Sequence, residues 1–192
     1  MFTGIIEATA KVLKMSTNAL TLERPKSFDD INIGSSIAVS GVCLSIVSFD
    51  QMSMSFDVVE TTFEKTKLGE LLVGDPVNLE RAMKANGRFE GHMVLGHCEG
   101  VGRVGELRKG VGGTILLVQI PTHLQKYIVL HGSIAIDGVA LTVAGLSGAQ
   151  LSVALIPHTL SCTTLGLLST GDAVNIETDI LGKYILTAHD KK

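Results

Sequence analysis

The chain has no tryptophan, two tyrosines and six phenylalanines, and its aromatic content is only 4%. That leaves little surface on which nucleic-acid bases could stack. Positive charge is not in excess either: 16 Lys and Arg against 19 Asp and Glu give a formal net charge of −3, so no cationic face for phosphates is expected. Nucleic acid is therefore excluded as an expected partner. The three cysteines, Cys43, Cys98 and Cys162, are an odd set without Cys-x-x-Cys spacing. They argue against a disulfide framework or a structural zinc site and read as reduced thiols.

Long apolar runs are also missing. The greasiest stretch, Thr114 to Ile120, is far too short to span a bilayer, and the region from Tyr127 to Leu146 is broken by His131, Asp137 and several glycines. The opening Met1-Phe2-Thr3-Gly4-Ile5-Ile6-Glu7 has neither the basic nor the apolar region of a signal peptide. These absences predict a soluble, cytoplasmic protein without a membrane partner. His92, His97 and His123 lack the i, i+4 spacing of a metalloprotease helix and the carboxylates are scattered, so no metal is expected. No phosphate loop and no Gly-x-Gly-x-x-Gly between strand and helix is present, and Gly110-Val111-Gly112-Gly113 reads as a hairpin turn.

What the sequence does have is itself, twice. The stretch Ser36 to Glu80 returns without a gap 97 positions later as Ser133 to Glu177. Ile37-Ala38-Val39-Ser40-Gly41-Val42-Cys43-Leu44 becomes Ile134-Ala135-Ile136-Asp137-Gly138-Val139-Ala140-Leu141, and Gly74-Asp75-Pro76-Val77-Asn78-Leu79-Glu80 becomes Gly171-Asp172-Ala173-Val174-Asn175-Ile176-Glu177. The second unit opens as the first does, with Met93 to Gly100 echoing Met1 to Ala8. In 192 residues such a period favours two domains, each large enough for its own core, and the polar Ala85-Asn86-Gly87-Arg88-Phe89-Glu90-Gly91 puts the boundary between 1–88 and 89–192.

Short apolar runs at Ser36 to Val39, Val42 to Val47, Met52 to Val58, Thr114 to Ile120, Ile134 to Ile136 and Leu151 to Ile156 read as strands. The 21 glycines fit many tight turns, and Ser40-Gly41 and Asp137-Gly138 are expected to close hairpins. The predicted fold is all-β: two small antiparallel barrels. Thr61 to Leu72 and Thr159 to Leu168 each predict a short helix with Thr at the N-cap, and Pro121 to Tyr127 another helical turn.

Function is to be sought where the copies differ. Period two puts Val42, Leu44 and Ile46 on one face of a strand and Cys43, Ser45 and Val47 on the other; the second copy sets Val139, Leu141 and Val143 opposite Ala140, Thr142 and Ala144. The second face is small and partly polar. It either leaves room for a planar heterocycle or packs a barrel interior. Cys43 has no thiol counterpart at Ala140, so it is either a site residue or a small buried hydrophobe, the role assigned to Cys98 and Cys162. His97 replaces Ile5 of the first copy, a change that packing does not explain; an imidazole there is a candidate acid, base or hydrogen-bond donor.

Met-Phe-Thr-Gly-Ile-Ile-Glu at the start, Gly41-Val42-Cys43-Leu44, Asn78-Leu79-Glu80-Arg81-Ala82, Asn86-Gly87-Arg88-Phe89, Gly91-His92 with Gly96-His97, Asp137-Gly138-Val139, Leu155-Ile156-Pro157-His158-Thr159 and Gly182-Lys183-Tyr184 together resemble the riboflavin synthase family along nearly the whole chain. The resemblance implies two similar six-stranded Greek-key barrels with a C-terminal helix, usually as a homotrimer. It implies a transferase in riboflavin biosynthesis: two molecules of 6,7-dimethyl-8-ribityllumazine give riboflavin and 5-amino-6-ribitylaminouracil, without metal, flavin or nicotinamide. Lumazine synthase is a candidate partner. The expected N-terminal pocket comprises Gly4, Ile5, Ile6, Cys43, Leu44, Ser45, Asp57, Val58, Val59, Glu60, Thr61, Thr62, Gly96, His97 and Cys98. The C-terminal pocket comprises His131, Ala140, Leu141, Thr142, Ala154, Leu155, Ile156, Pro157, His158 and Thr159, with Asp179 at its edge. Cys43 and His97 are the expected catalytic residues.

The chain departs from the family pattern at Ser40 (usually Asn), Ser45 (Thr), Ala140 (Ser), His131 (Lys) and Leu95 (often polar). The changes at Ala140 and His131 remove a hydroxyl and a cation from the C-terminal pocket. The sequence stops at Lys192, which predicts a short helical tail and a weak oligomer. Two other readings stand beside the enzyme. One is a non-catalytic lumazine or flavin carrier of the same fold. The other is a flavin reductase domain, which calls for an Arg-x-Tyr-Ser/Thr motif and a following nicotinamide domain, both missing here.

Overall fold

A computed structural model describes residues 1–110 and 112–189. The first barrel is built from β1 (Ala8–Met15), β2 (Ala19–Glu23), β3 (Ser36–Val39), β4 (Val42–Phe49), β5 (Ser53–Asp57) and β6 (Pro76–Arg81), and it closes in the order β1-β2-β5-β4-β3-β6. The second uses β7 (Gly100–Gly110), β8 (Gly113–Gln119), β9 (Ser133–Ile136), β10 (Val139–Ser147), β11 (Gln150–Leu155) and β12 (Ala173–Thr178) in the equivalent order. All pairings are antiparallel, and closure removes the unpaired edges that short strands would otherwise expose. Val111, in the predicted hairpin between β7 and β8, lies outside the described residues; Gly110 and Gly113 on either side of it are paired.

Each barrel has its own core. Val12, Leu20, Leu22, Ile37, Leu44, Ile46, Met54, Phe56 and Leu79 fill the first, and Val104, Leu116, Val118, Ile134, Val143, Leu151, Val153 and Ile176 the second. The alternation read from the sequence is what aims them: Val42, Leu44 and Ile46 on β4 point inward, while Cys43, Ser45 and Val47 do not. Ser40 and Gly41 both take positive φ, 43° and 81°, as do Asp137 and Gly138, 49° and 78°. These are two-residue type I′ hairpins, whose twist matches that of the strands they join.

The predicted helices are corrected. Glu60–Lys65 (α1) and Pro157–Cys162 (α2) are single short helices, and each is followed by a separate 3-10 turn, Lys67–Glu70 and Thr164–Leu167. Thr66 and Thr163 break the run with extended backbone, and each then accepts a hydrogen bond from the amide two residues on, capping the 3-10 turn. Thr61 and Thr159 cap nothing; Val59 and Ile156 hold the N-cap positions without a side-chain bond. The predicted turn after Pro121 is a 3-10 segment, Thr122–Tyr127. A last helix, α3 (Ile180–His189), follows β12, and among the described residues no helix is long and apolar enough to cross a membrane.

The barrels are clasped by buried polar groups. Asn78 donates to Asp137 O and accepts from Thr164 N, both on the other barrel; Asn175 donates to Ser40 O and accepts from Lys67 N. Lys67 also pairs with Asp137, whose other oxygen accepts from Asn175 N. The two hairpins touch at the centre, where a Cβ on Gly41 would lie 2.7 Å from Gly138 N.

The segments before each barrel exchange. Phe2 and Val94 form an antiparallel bridge, after which each segment runs onto the opposite barrel. Phe2, Val94, Ala38 and Ala135 make a small third core between the two.

A pair of glycines separates conformational strain from contact. Gly34 has φ 87° and nothing within 4 Å of the place a Cβ would occupy, whereas Gly41 has φ 81° and a backbone against it. Gly34→Ala should cost about 1–2 kcal/mol, the left-handed penalty alone. Gly41→Ala should cost a further 1–3 kcal/mol or so from overpacking, read as the difference in chemical-denaturation stability. Equal losses would mean that the barrels yield at their contact.

Candidate active site

Three pieces of chain meet outside the first barrel. The small face of β4 points outward, with Cys43 half-buried and Ser45 exposed, and the interior is filled by the bulky face instead. The alternative of a small-residue barrel interior is thereby set aside. The pairing of β5 with β4 ends at Phe56 opposite Ile46, and the chain then passes from Asp57 through Val58 and Val59 into α1, whose first turn carries Glu60, Thr61 and Thr62. The exchanged segment takes the place β5 vacates: Cys43 N donates to Gly96 O at 2.8 Å. Only glycine fits there. Its φ is 78°, and a Cβ would lie 2.6 Å from Cys43 Cβ.

The second barrel repeats the arrangement. Ala140 N donates to Gly4 O at 2.8 Å, and a Cβ on Gly4 would lie 2.6 Å from Ala140 Cβ. Thr142 is exposed on the same face, beside the exposed or half-buried Ala154, Ile156, Pro157, His158 and Thr159. His131 sits in the turn before β9 with φ 64°, exposed, its amide donating to Val143 O at 2.9 Å.

Gly4, Ile5 and Ile6 were expected in the N-terminal pocket, and that grouping is corrected. The exchange carries them to the C-terminal barrel, where Gly4 lies on Ala140 and Ile6 packs against the second core. Gly96 and Cys98 do lie against the N-terminal barrel, with His97 between them. Leu44, Val58 and Leu155 are buried in the cores and Leu141 packs on the second core, so these residues offer main-chain groups only. Cys98 turns onto the first core, and burial pushes its thiol up to about 11. His97 is exposed and Cys43 half-buried.

Two buried carboxylates hold the exchanged segments. Glu80 on β6 accepts from Thr3 N, Thr3 Oγ1 and Gly4 N at 2.6, 2.8 and 2.9 Å. Glu177 on β12 accepts from Leu95 N, Gly96 N and His97 N at 2.6, 3.0 and 3.0 Å. Burial raises both carboxyl pKa values above the ordinary range, and the amide donors oppose the rise. Asp179, between β12 and α3, caps α3 by accepting from Leu181 N.

His92 entered the sequence reading as part of a motif and as a metal ligand set aside on spacing. It is buried beside Asp179 with no partner for Nε2; burial lowers its pKa and the Asp179 charge partly restores it. The repeat marks His97 by its counterpart Ile5, whereas His92 precedes the repeated stretch and has no counterpart to mark it. Two open clefts, of about 410 and 350 Å³, lie along β6 and between the two 3-10 turns, and neither is lined by Cys43, His97 or Ala140. Among the described residues no three His, Cys, Asp or Glu side chains converge as a metal cage would require.

The geometry is that of a repeated unit, and the family described as "Lumazine binding domain" matches it twice, at residues 3–82 and 95–179. The chain is 43% identical to riboflavin synthase of Actinobacillus pleuropneumoniae over 189 residues, 96% of this chain and 88% of that one. It is 41% identical to riboflavin synthase of Bacillus subtilis over the same shares, and 37% identical to that of Schizosaccharomyces pombe over 96% and 91%. The chain belongs to the riboflavin synthase family. Among solved structures it resembles LumP complexed with riboflavin, with a TM-score of 0.86 and 27% identity across 93% of this chain and 99% of LumP. LumP complexed with 6,7-dimethyl-8-(1'-D-ribityl) lumazine gives a TM-score of 0.83 over the same shares.

Cys98 and Cys162 should separate by alkylation. At about pH 8.5 a thiol shifted to about 11 is under about 1% ionised, so Cys98 should resist iodoacetamide in the folded protein while exposed Cys162 reacts. Peptide mapping follows the order, and in urea Cys98 should catch up. Early native labelling of Cys98 would show that it is not held against the core.

Proposed function

We propose that this chain is a riboflavin synthase, transferring a four-carbon unit from one 6,7-dimethyl-8-ribityllumazine to a second to give riboflavin and 5-amino-6-ribitylaminouracil. The observation that carries the reading is the pair of like outward surfaces, on Cys43 and on Ala140, each bordered by a strand-to-helix turn and an exchanged segment. A reaction between two copies of one molecule needs two similar seats. The two products together contain every atom of the two substrates, so no oxidant or reductant enters.

Holding two rings in register removes translational and rotational freedom, which supplies on the order of 7–11 kcal/mol of barrier lowering. The remaining chemistry falls to the copy with a thiol and an imidazole. His97 serves as the base that takes a proton from the C7 methyl of one lumazine, and Cys43 as nucleophile or proton shuttle at the other. Ser45, Thr62, Thr142 and Thr159 bind the pyrimidine edge and the ribityl hydroxyls. The barrels that carry the seats lie in units 1–88 and 89–192, and each seat is completed by a segment of the other unit. Pairing the N-terminal seat of one subunit with the C-terminal seat of another, in a cytoplasmic homotrimer, lets the two substrates meet. Lumazine synthase, which makes the substrate, is a candidate partner.

A second reading, a lumazine or flavin carrier, draws support from the likeness to LumP. Incubating the pure protein with 6,7-dimethyl-8-ribityllumazine separates the two: riboflavin and the pyrimidine should appear in equal amounts with no added cofactor. Binding without product above the uncatalysed background leaves the carrier.

Cys43→Ala and His97→Ala should each lower kcat by about 100-fold or more while ligand affinity changes little, because each acts on reacting atoms. Cys98→Ala should cost far less. If Cys43 and Cys98 prove equivalent, Cys43 is a packing thiol. Assembly has its own signature: specific activity should fall on dilution as subunits separate. A protein monomeric in sedimentation at full activity, with a bound analogue, would rule out the shared site.

A further inference from the structure

The two exchanged segments are held alike but not identically. Thr3, Gly4 and Ile5 occupy the positions of Leu95, Gly96 and His97 in the repeat. Glu80 grips the first two amides, and Ile5 N turns instead to Thr3 Oγ1 at 3.4 Å. Glu177 grips all three, including the amide of His97 itself at 3.0 Å. No hydroxyl is available at Leu95 to do otherwise.

We propose that Glu177 is a positioning residue for the reaction: from the C-terminal barrel it fixes the main chain of His97 against Cys43 on the N-terminal barrel, while Glu80 positions only a ligand-bordering segment. The inference rests on the proposed role of His97 at the reacting atoms. A carboxylate is suited to the task because it only accepts: its two oxygens face three converging N–H groups, and charge-assisted bonds of this kind are among the stronger ones. Glu177 is 4% exposed, so water cannot replace it. Gly96, in the middle of the gripped segment, also receives the amide of Cys43 on its carbonyl oxygen. A single side chain thus sets the spacing between the thiol and the imidazole, and an error of an ångström there is costly to rate. Glu80 has the same fold role, but its segment carries Ile5 where the other carries His97.

The twin supplies the control. Glu177→Gln keeps shape and size but replaces one accepting oxygen with an N–H₂, which faces Leu95 N in one orientation and the Gly96 and His97 amides in the other. Turnover and backbone amide hydrogen exchange are measured for Glu177→Gln, Glu80→Gln and the parent protein. In Glu177→Gln, kcat should fall by about tenfold or more with KM within about threefold, and the amides of Leu95, Gly96 and His97 should lose protection. In Glu80→Gln the pattern should reverse, with KM raised, kcat within about threefold, and protection lost at Thr3 and Gly4. A purely structural role would move both variants alike, and matching kcat and KM changes in the two would overturn the proposal. So would unchanged exchange at residues 95–97. If the parent protein binds lumazine without turning it over, the enzyme reading fails while the exchange data still decide whether Glu177 holds the segment. Should Glu177→Gln not fold, Glu177→Asp takes its place, and three amides exchanging together as the slowest of their segment in the parent protein remain the required result.

Discussion

Asn78 and Asn175 each give their whole side-chain amide to the opposite barrel, and the rest of the molecule is arranged around that exchange. The carbonyl oxygen of each amide receives the first amide of the other barrel's 3-10 turn, and the N–H₂ reaches the turn residue of the other barrel's hairpin. Buried polar groups of this kind are costly unless all are satisfied, so they tolerate one relative placement of the two barrels and penalise others. Symmetry is broken only where the copies differ: Lys67 and Asp137 form an ion pair where Thr164 and Ser40 stand in the other half. Burial drives the Asp137 carboxyl up and the Lys67 ammonium pulls it back, a balance in which losing either partner is worse than having neither.

Once the barrels are placed, the exchanged segments have little freedom. The Gly41–Gly138 contact sets how closely the hairpins approach, and β4 and β10 begin immediately beyond them. Cys43 and Ala140 therefore lie at fixed distances from the contact, each with an amide freed where its neighbouring strand has left. Gly96 and Gly4 fill those gaps, and the absence of a Cβ at each is what lets the main chain come close. The two seats are thus properties of the pair of barrels, since each borrows one wall from a segment that precedes the other barrel.

Much of this was legible in one dimension. The 97-residue period, the inward and outward faces of β4 and β10, and the turns at Ser40-Gly41 and Asp137-Gly138 all rest on local steric rules that hold wherever such residues occur. The helices were read too long because a Thr at the start of each stretch reads as the N-cap of one run, while Thr66 caps a second, 3-10 turn instead of continuing the first. That competition is settled by where Lys67 N must go, namely to Asn175 on the other barrel.

Cys43 and His97 stood out in the sequence as the places where a duplicated unit stops being a duplicate, and alternation separated Cys43 from Val42 and Leu44, while only the closed barrel decided that the bulky face turns inward. What alternation could not supply is which barrel Gly4 to Ile6 would serve. A segment preceding a barrel is assigned by proximity to the barrel that follows it, and here the bridge between Phe2 and Val94 sends each one across. Glu80 and Glu177 read as strand residues near a polar motif until their oxygens are seen to face amides 76 to 82 positions away. Period and phase are local and survive in a sequence. Which hydrogen-bond donors a buried carboxylate will meet is decided only when the two cores close on one another.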